Sequence, residues 1–436
     1  MNALRIALVL APFFGLWGRS LARKKQLSRE LGFFAGLLLS VLGVFIMHRL
    51  PANPDGPIDH WSDRKVDAFV AWYRSTTDAL RQRWDALPKI VRIVVAIIGV
   101  AFLYYLPVLK PPLITTPGTD FPTLLAGSVI IFVIVALGLN VVVGMAGMLD
   151  LGYVGFYAVG AYTVAVLSSK HGNLPWLLSM PIAVLVTMLS GVLLGAPTLR
   201  LRGDYLAIVT LGFGEIIRLL AQRFDWLGAE PGIPNIPPPW HGGPIHFGPL
   251  NSKSYYWLGL TIAIIVYFFL RRLERSRVGR AWTAIREDED AAELMGVPTF
   301  KFKLWAFAIG AAVGGLAGSL YATKAAFILP DNFMLKLSIL FLAAVVLGGA
   351  GNMPGVVLGA VVVSYLPERF RFLNTSRYLW FGVALVAMMI FRPQGLWPRR
   401  QHGRRAKSQL DPPPFEDVRE GDPDLEGGIH GGTALA

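Results

Sequence analysis

The 436 residues include no cysteine, which excludes a disulfide framework, a thiolate metal site and a cysteine nucleophile. Charge is scarce as well: 16% of the residues are charged, against roughly 25% in an ordinary soluble domain. The seven histidines are scattered and show no metal-ligand spacing. No G-x-x-x-x-G-K-[ST] phosphate loop occurs, so this chain is not expected to hydrolyse ATP. No G-x-S-x-G nucleophile elbow occurs either. Nothing in the sequence points to an enzyme.

What is present is apolar. Hydrophobic residues make up 54% of the chain and the mean hydropathy is +0.52. A core that apolar cannot be wrapped in enough polar surface to stay in water, so the chain is expected in a lipid bilayer. The net charge is +13, and its placement decides its meaning. Lys and Arg cluster between apolar stretches, at Arg19–Arg29, Arg64–Arg92, Arg271–Arg286 and Arg392–Lys407. That is the pattern of loops beside anionic lipid and not of a nucleic-acid partner.

Crossing the hydrocarbon takes about 20 apolar residues as helix. Residues 3–17 and 31–48 give two N-terminal spans, read as a retained anchor and not a cleaved signal. Residues 51–88, rich in Trp and charge, read as a surface amphipathic helix or linker. Further spans are expected at 90–109, 122–143, 148–168, 175–196 and 203–222. A loop dense in Pro and Gly follows at 224–253, then spans at 255–270 and 304–323 around a charged stretch at 271–303. Leu337–Pro367 is uncharged for 31 residues. As one helix it would run about 46 Å, too long for a hydrocarbon core near 30 Å. Gly348, Gly349, Gly351 and Pro354 break it into two short segments joined by a tight loop. Residues 378–391 close the membrane part.

The expected fold is therefore all-α: a polytopic transmembrane helix bundle of about 9–11 membrane segments with at least one broken helix. It divides into an N-terminal extension (1–110) with transmembrane helices and an amphipathic linker, a membrane core (111–398) and a disordered tail (399–436). The five Arg between positions 271 and 280 place the charged stretch in the cytoplasm. Loop 224–253 then falls outside, and breaking 337–367 returns the basic tail to the cytoplasm. The same parity puts Arg19–Arg29 outside, against the positive-inside rule.

Small residues recur at i, i+4 in Gly310/Gly314/Gly318, Gly351/Gly355/Gly359 and Gly191/Gly195, the spacing of close helix packing in lipid. Three charges interrupt apolar runs: Asp150, Glu215 and Arg218. Such charges are costly, so they are either paired or functional. Glu215 and Arg218 stand one above the other on a helix and fit both readings. Asp150 follows Gly144 and Gly147, at an expected helix break.

The charged stretch 279–297 is helix-forming through Ala291 and Ala292, with Gly296 and Pro298 as stop signals. Asp290-Ala291-Ala292 with Gly296 reads D-A-A-x-x-x-G. This resembles the E-A-A-x-x-x-G loop of bacterial ABC-importer permeases, with Asp for Glu. The resemblance implies a short cytoplasmic helix that docks into a cleft of a separate ATPase. Gly279, Arg280, Ala284, Arg286, Glu287, Asp290, Ala291, Ala292 and Gly296 would form it. Small Ala and Gly allow close approach, and flanking charges fix the register.

The likeness extends further. Gly138-Leu139-Asn140 through Gly144, Leu151-Gly152-Tyr153 through Tyr162, Leu199-Arg200-Leu201-Arg202-Gly203-Asp204-Tyr205 through Glu215, and Arg392-Pro393-Gln394-Gly395-Leu396 resemble the LivM-type permease of branched-chain amino acid importers. The match covers about residues 120–398 in family order, and 1–110 resembles the extra N-terminal region of such chains. One stretch departs: the family's T-G-G-P-N-G-like external loop is replaced by Gly228-Ala229-Glu230-Pro231-Gly232-Ile233-Pro234-Asn235.

The resemblance implies a heteromeric importer in the bacterial inner membrane. Its parts are this permease, a LivH-like sister permease, two cytoplasmic ATPase subunits that bind the ATP, and a periplasmic substrate-binding protein. It implies no cofactor held by this chain and no nucleic-acid partner. Asn140, Asp150, Tyr153, Glu215, Gly348, Gly349 and Gly351 are candidates for the substrate path, chosen for burial cost and helix breaking. Three other readings stay open: the same machine for urea or a short amide, an ion-coupled transporter or channel without an ATPase, and a scaffold that transports nothing.

Overall fold

The computed structural model describes residues 88–109, 120–169, 172–199, 204–240, 247, 251–369, 382–383, 386 and 395–397. The spans expected at 3–17 and 31–48, the linker up to residue 87, most of 378–391 and the tail 399–436 lie outside the described residues.

Helices account for most of what is described, and among the described residues β-structure is limited to one isolated bridge. α1 is Lys89–Leu109. α2 runs Phe121–Met145 and contains two π turns, at Leu125–Val129 and Asn140–Met145. α3 is Tyr153–Ser168, α4 Trp176–Thr198 and α5 Asp204–Arg223. α6 is Ser252–Glu274. Two short helices, α7 Arg277–Glu287 and α8 Glu289–Leu294, occupy the charged stretch. α9 is Thr299–Ala325, α10 Leu335–Gly348 and α11 Met353–Arg369.

Among the described residues, six helices are long and apolar enough to cross a membrane, and two shorter apolar ones accompany them. The break expected in 337–367 is present. α10 ends at Gly348, and α11 starts at Met353 after a four-residue turn. Some boundaries differ. α6 and α9 run past the expected 255–270 and 304–323, taking in flanking charged residues, with α9 starting at Thr299. α3 begins at Tyr153 and not at 148, because residues 146–152 form a non-helical stretch whose amides are taken by other partners.

α2, α3 and α9 make the centre, while α4 and α5 lie at the periphery with apolar side chains such as Leu185, Leu189 and Leu193 turned outward. The glycine pattern explains how the centre closes. Gly160 on α3 packs on the backbone of Gly315, and a Cβ on Gly318 would strike the Tyr157 carbonyl. Gly191 on α4 faces Ala311, and Gly355 and Gly359 on α11 lie against the backbone of α10. In lipid there is no hydrophobic expulsion between helices, so this close backbone approach supplies the packing. A larger side chain at such a contact costs about 1–3 kcal/mol through strain.

Candidate functional site

The charged loop folds as a helical corner. Ser276 caps α7, its Oγ accepting from the amide of Val278 at 3.2 Å. Gly279, Trp282 and Ile285 are the buried residues of α7, at the i, i+3 spacing of one helix face. Trp282 is fully buried, and its Nε1–H donates to the carbonyl of Phe302 on α9 at 2.7 Å. That bond holds the corner to the base of a central helix.

The sequence suggests one helix through 279–296; the structure has two. Asp288 takes an extended backbone (φ −158°) that ends α7, and its Oδ1 accepts from the amide of Ala291 at 3.0 Å, capping α8. Asp is a strong N-cap, so the chain turns there. α8 buries Ala292 and exposes Leu294 and Met295, at 89% and 85%. Gly296 follows with φ +82°, a left-handed conformation that glycine adopts without steric cost, and a Cβ there would meet nothing among the described residues. An ion pair between Lys303 of α9 and Glu289 fixes the other side of the corner.

Beside the corner lie two interruptions of the helix bundle. The first is the π turn at the end of α2; the second is the turn 349–352 between α10 and α11. Asn140 is fully buried, and its Oδ1 accepts the amide of Gly351 at 2.8 Å across 211 residues. Arg286 of α7 donates from Nη1 to the Gly144 carbonyl. A Cβ on Gly351 would press on Arg286 Nη1 and on the Gly144 carbonyl at 2.7 Å, and one on Gly147 would meet Arg286 Cγ at 2.8 Å. Residues 395–397 close the remaining side. Leu396 donates to the Leu347 carbonyl at 2.8 Å, Trp397 to the Gly348 carbonyl at 3.2 Å, and Asn352 Nδ2 to the Trp397 carbonyl at 2.6 Å. The orphan carbonyls at the end of α10 are thus satisfied from a distant part of the chain.

Of the path candidates, Asn140, Gly348, Gly349 and Gly351 therefore come together at this knot. Tyr153 and Asp150 lie next to it. Tyr153 donates to the Gly310 carbonyl at 2.7 Å. Asp150 is buried, with Oδ1 accepting the Gly152 amide at 2.9 Å and the Thr210 side chain beside its carboxylate. The stretch 146–152 docks on α5, where Leu151 donates to Thr210 Oγ1 at 3.1 Å. Glu215 stands apart. It is bridged to Arg218 by bonds of 3.0 and 3.1 Å, and Arg218 reaches Asp331 at 3.5 Å, beyond the far end of α10. α10 has 14 residues, about 21 Å at helical rise, which separates this pair from the knot.

Trp282, Leu294, Met295 and Lys303 were not legible as site residues. The i, i+3 spacing Gly279/Trp282/Ile285 is the one signal that could have singled out Trp282. At the opposite end, the stretch that departs from the family pattern is folded onto the segment just after α9. Ile233 and Ile328 exchange backbone bonds of 3.0 and 3.2 Å, and Ile236 donates to the Ala326 carbonyl at 3.0 Å.

Residues 121–392 match the family described as branched-chain amino acid transport system / permease component. The chain is 43% identical over 305 residues, 65% of its length, to the high-affinity branched-chain amino acid transport system permease protein LivM of Salmonella typhimurium, of which 72% is covered. The LivM protein of Escherichia coli is 43% identical over 309 residues, covering 66% of this chain and 72% of that one. A probable branched-chain amino acid transport permease LivM of Methanocaldococcus jannaschii is 28% identical over 325 residues, 62% of this chain and 91% of the relative. No solved structure matches.

Proposed function

The chain belongs to the branched-chain amino acid transport system permease family, and from that premise we propose that it is the membrane-spanning half of an ATP-driven importer for Leu, Ile and Val. It is a multi-pass membrane protein; the bacterial inner membrane follows from the family. A LivH-like sister permease, two ATPases and a periplasmic binding protein complete the assembly. ATP is bound and hydrolysed by the ATPases, and this chain contributes no catalytic group. Ligand delivered from outside passes between the two permeases, and ATP-driven closure switches access from one side to the other.

One observation carries the reading: the densely charged corner α7–α8 projects Leu294 and Met295 almost fully into solvent. Exposed adjacent apolar side chains in a charged loop fit a partner's pocket. Trp282 and the Lys303–Glu289 pair tie the same corner rigidly to α9, so a pull on the knob reaches the bundle. A channel or an ion-coupled carrier has no use for such a knob.

The test is uptake of labelled leucine by cells lacking this gene, then restored with it. Deletion is expected to abolish high-affinity uptake, and restoration to return it. Excess unlabelled isoleucine or valine should compete, while urea and acetamide should not. Leucine uptake unaffected by the deletion, with no second leucine system present, or competition by urea, would overturn the substrate assignment.

A further inference from the structure

Arg286 joins three elements that are far apart in sequence. It leaves the C-terminal turn of α7, hydrogen-bonds the Gly144 carbonyl in the π turn of α2, and lies against Gly351 in the turn between α10 and α11. Gly147 gives its stem room, since a Cβ there would meet Cβ and Cγ of Arg286 at 3.1 and 2.8 Å. Gly351 has φ +87°, so the turn needs glycine both for its backbone and for the guanidinium beside it. Asn140 makes the second tie across the same seam, by accepting the Gly351 amide.

Both interruptions are weak points in their helices. A π turn shifts the hydrogen-bond register locally, and the 349–352 turn leaves helix-end groups to be satisfied from elsewhere. Helices interrupted at the same depth, with their loose ends in contact, can part without unfolding. A rigid planar guanidinium on both at once makes their separation depend on the position of α7. We propose that the Gly144–Gly351 seam is the gate at the basic end of the permease, and that Arg286 is the positioning residue that keeps it shut until the corner moves. The coupling part of this rests on ATPase docking at α7–α8; the gate itself does not.

The absence of cysteine makes the test direct. A single cysteine replaces Ala350, which is partly buried in the turn. Its labelling by a membrane-impermeant maleimide is followed in inside-out vesicles, with Arg286 present or as Arg286→Ala. Labelling is expected to rise at least fivefold in Arg286→Ala, and less in Arg286→Lys, which keeps one donor. Asn140→Leu, of similar volume, removes the other tie without touching the corner and is expected to raise labelling as well. In the assembled complex, Arg286→Ala should still copurify with the ATPases while leucine uptake per ATP hydrolysed falls at least tenfold.

Unchanged labelling in both Arg286→Ala and Asn140→Leu overturns the gate. Loss of the ATPases from Arg286→Ala together with unchanged labelling makes Arg286 a docking residue and overturns the proposal too. Failure of the wild-type chain to hold any ATPase overturns the importer reading instead, and the labelling still decides the gate.

Discussion

Replacing Gly296 by Trp is expected to strip the ATPases from the complex, lowering their copurification at least tenfold, while the chain itself still inserts into the membrane. Two effects combine. Gly296 has φ +82°, where a residue with a Cβ costs roughly 1–2 kcal/mol. Yet a Cβ there meets nothing among the described residues, so the side chain has room to project beside Leu294 and Met295 toward whatever docks there. A tenfold loss corresponds to about 1.4 kcal/mol, and a bulky ring forced into a packed interface exceeds that. Gly296→Asn separates the two effects, because Asn tolerates the left-handed conformation and is small. It should retain the ATPases. Met295→Glu, which strains no backbone, should lose them by placing a charge in an apolar pocket. Retention of the ATPases by both Gly296→Trp and Met295→Glu, measured by affinity purification from detergent, would move the docking surface elsewhere.

Trp282→Ala is expected to be nearly as damaging, by a different route. The side chain is fully buried between α7 and the base of α9, and its N–H satisfies the Phe302 carbonyl at 2.7 Å. Removing a buried Trp costs about 3–5 kcal/mol from lost burial and the cavity left. The bare carbonyl adds a further penalty of about 1–3 kcal/mol. That energy is spent on the corner and not on the transmembrane bundle. The expected result is a chain that inserts and remains monodisperse, but whose loop 276–297 becomes open to limited proteolysis and whose leucine uptake falls at least tenfold. Trp282→Phe keeps most of the volume and loses the hydrogen bond, so an intermediate loss is expected. Resistance of the loop to protease in Trp282→Ala would show that the corner is held by other contacts, the Lys303–Glu289 pair first among them.

Much of this architecture follows from chain length and punctuation. The break in 337–367 was legible because 31 uncharged residues overrun a bilayer and Gly348, Gly349 and Gly351 mark where to interrupt them. The helix α4 at Trp176–Thr198 and α5 at Asp204–Arg223 lie within about two residues of the expected spans, since apolar runs bounded by charge leave little choice. The i, i+3 spacing allowed the Glu215–Arg218 pairing, one of two readings left open, and the structure forms it.

What was hidden depends on contacts distant in sequence or on a cap. The corner at Asp288 lies in Arg286-Glu287-Asp288-Glu289-Asp290, a run with no glycine or proline, where either aspartate could have capped. The late start of α3 was hidden because Met148, Leu149 and Leu151 read as a span, whereas Thr210 and Asp150 take the amides there. The Asn140–Gly351 bond joins positions 211 residues apart, and no local pattern encodes it. The motif resemblance placed Arg286 on the charged helix expected to couple to an ATPase, but its reach to Gly144 belongs to the folded bundle alone.

The most direct test of the central claim is reconstitution. The chain, its sister permease and the two ATPases are placed in liposomes with the periplasmic binding protein outside and ATP trapped within, and entry of labelled leucine is measured. Accumulation against a gradient with ATP, and none with a non-hydrolysable analogue, is the predicted result. Leucine entry that proceeds equally without ATP, running only down its gradient, would contradict it and make the protein a channel.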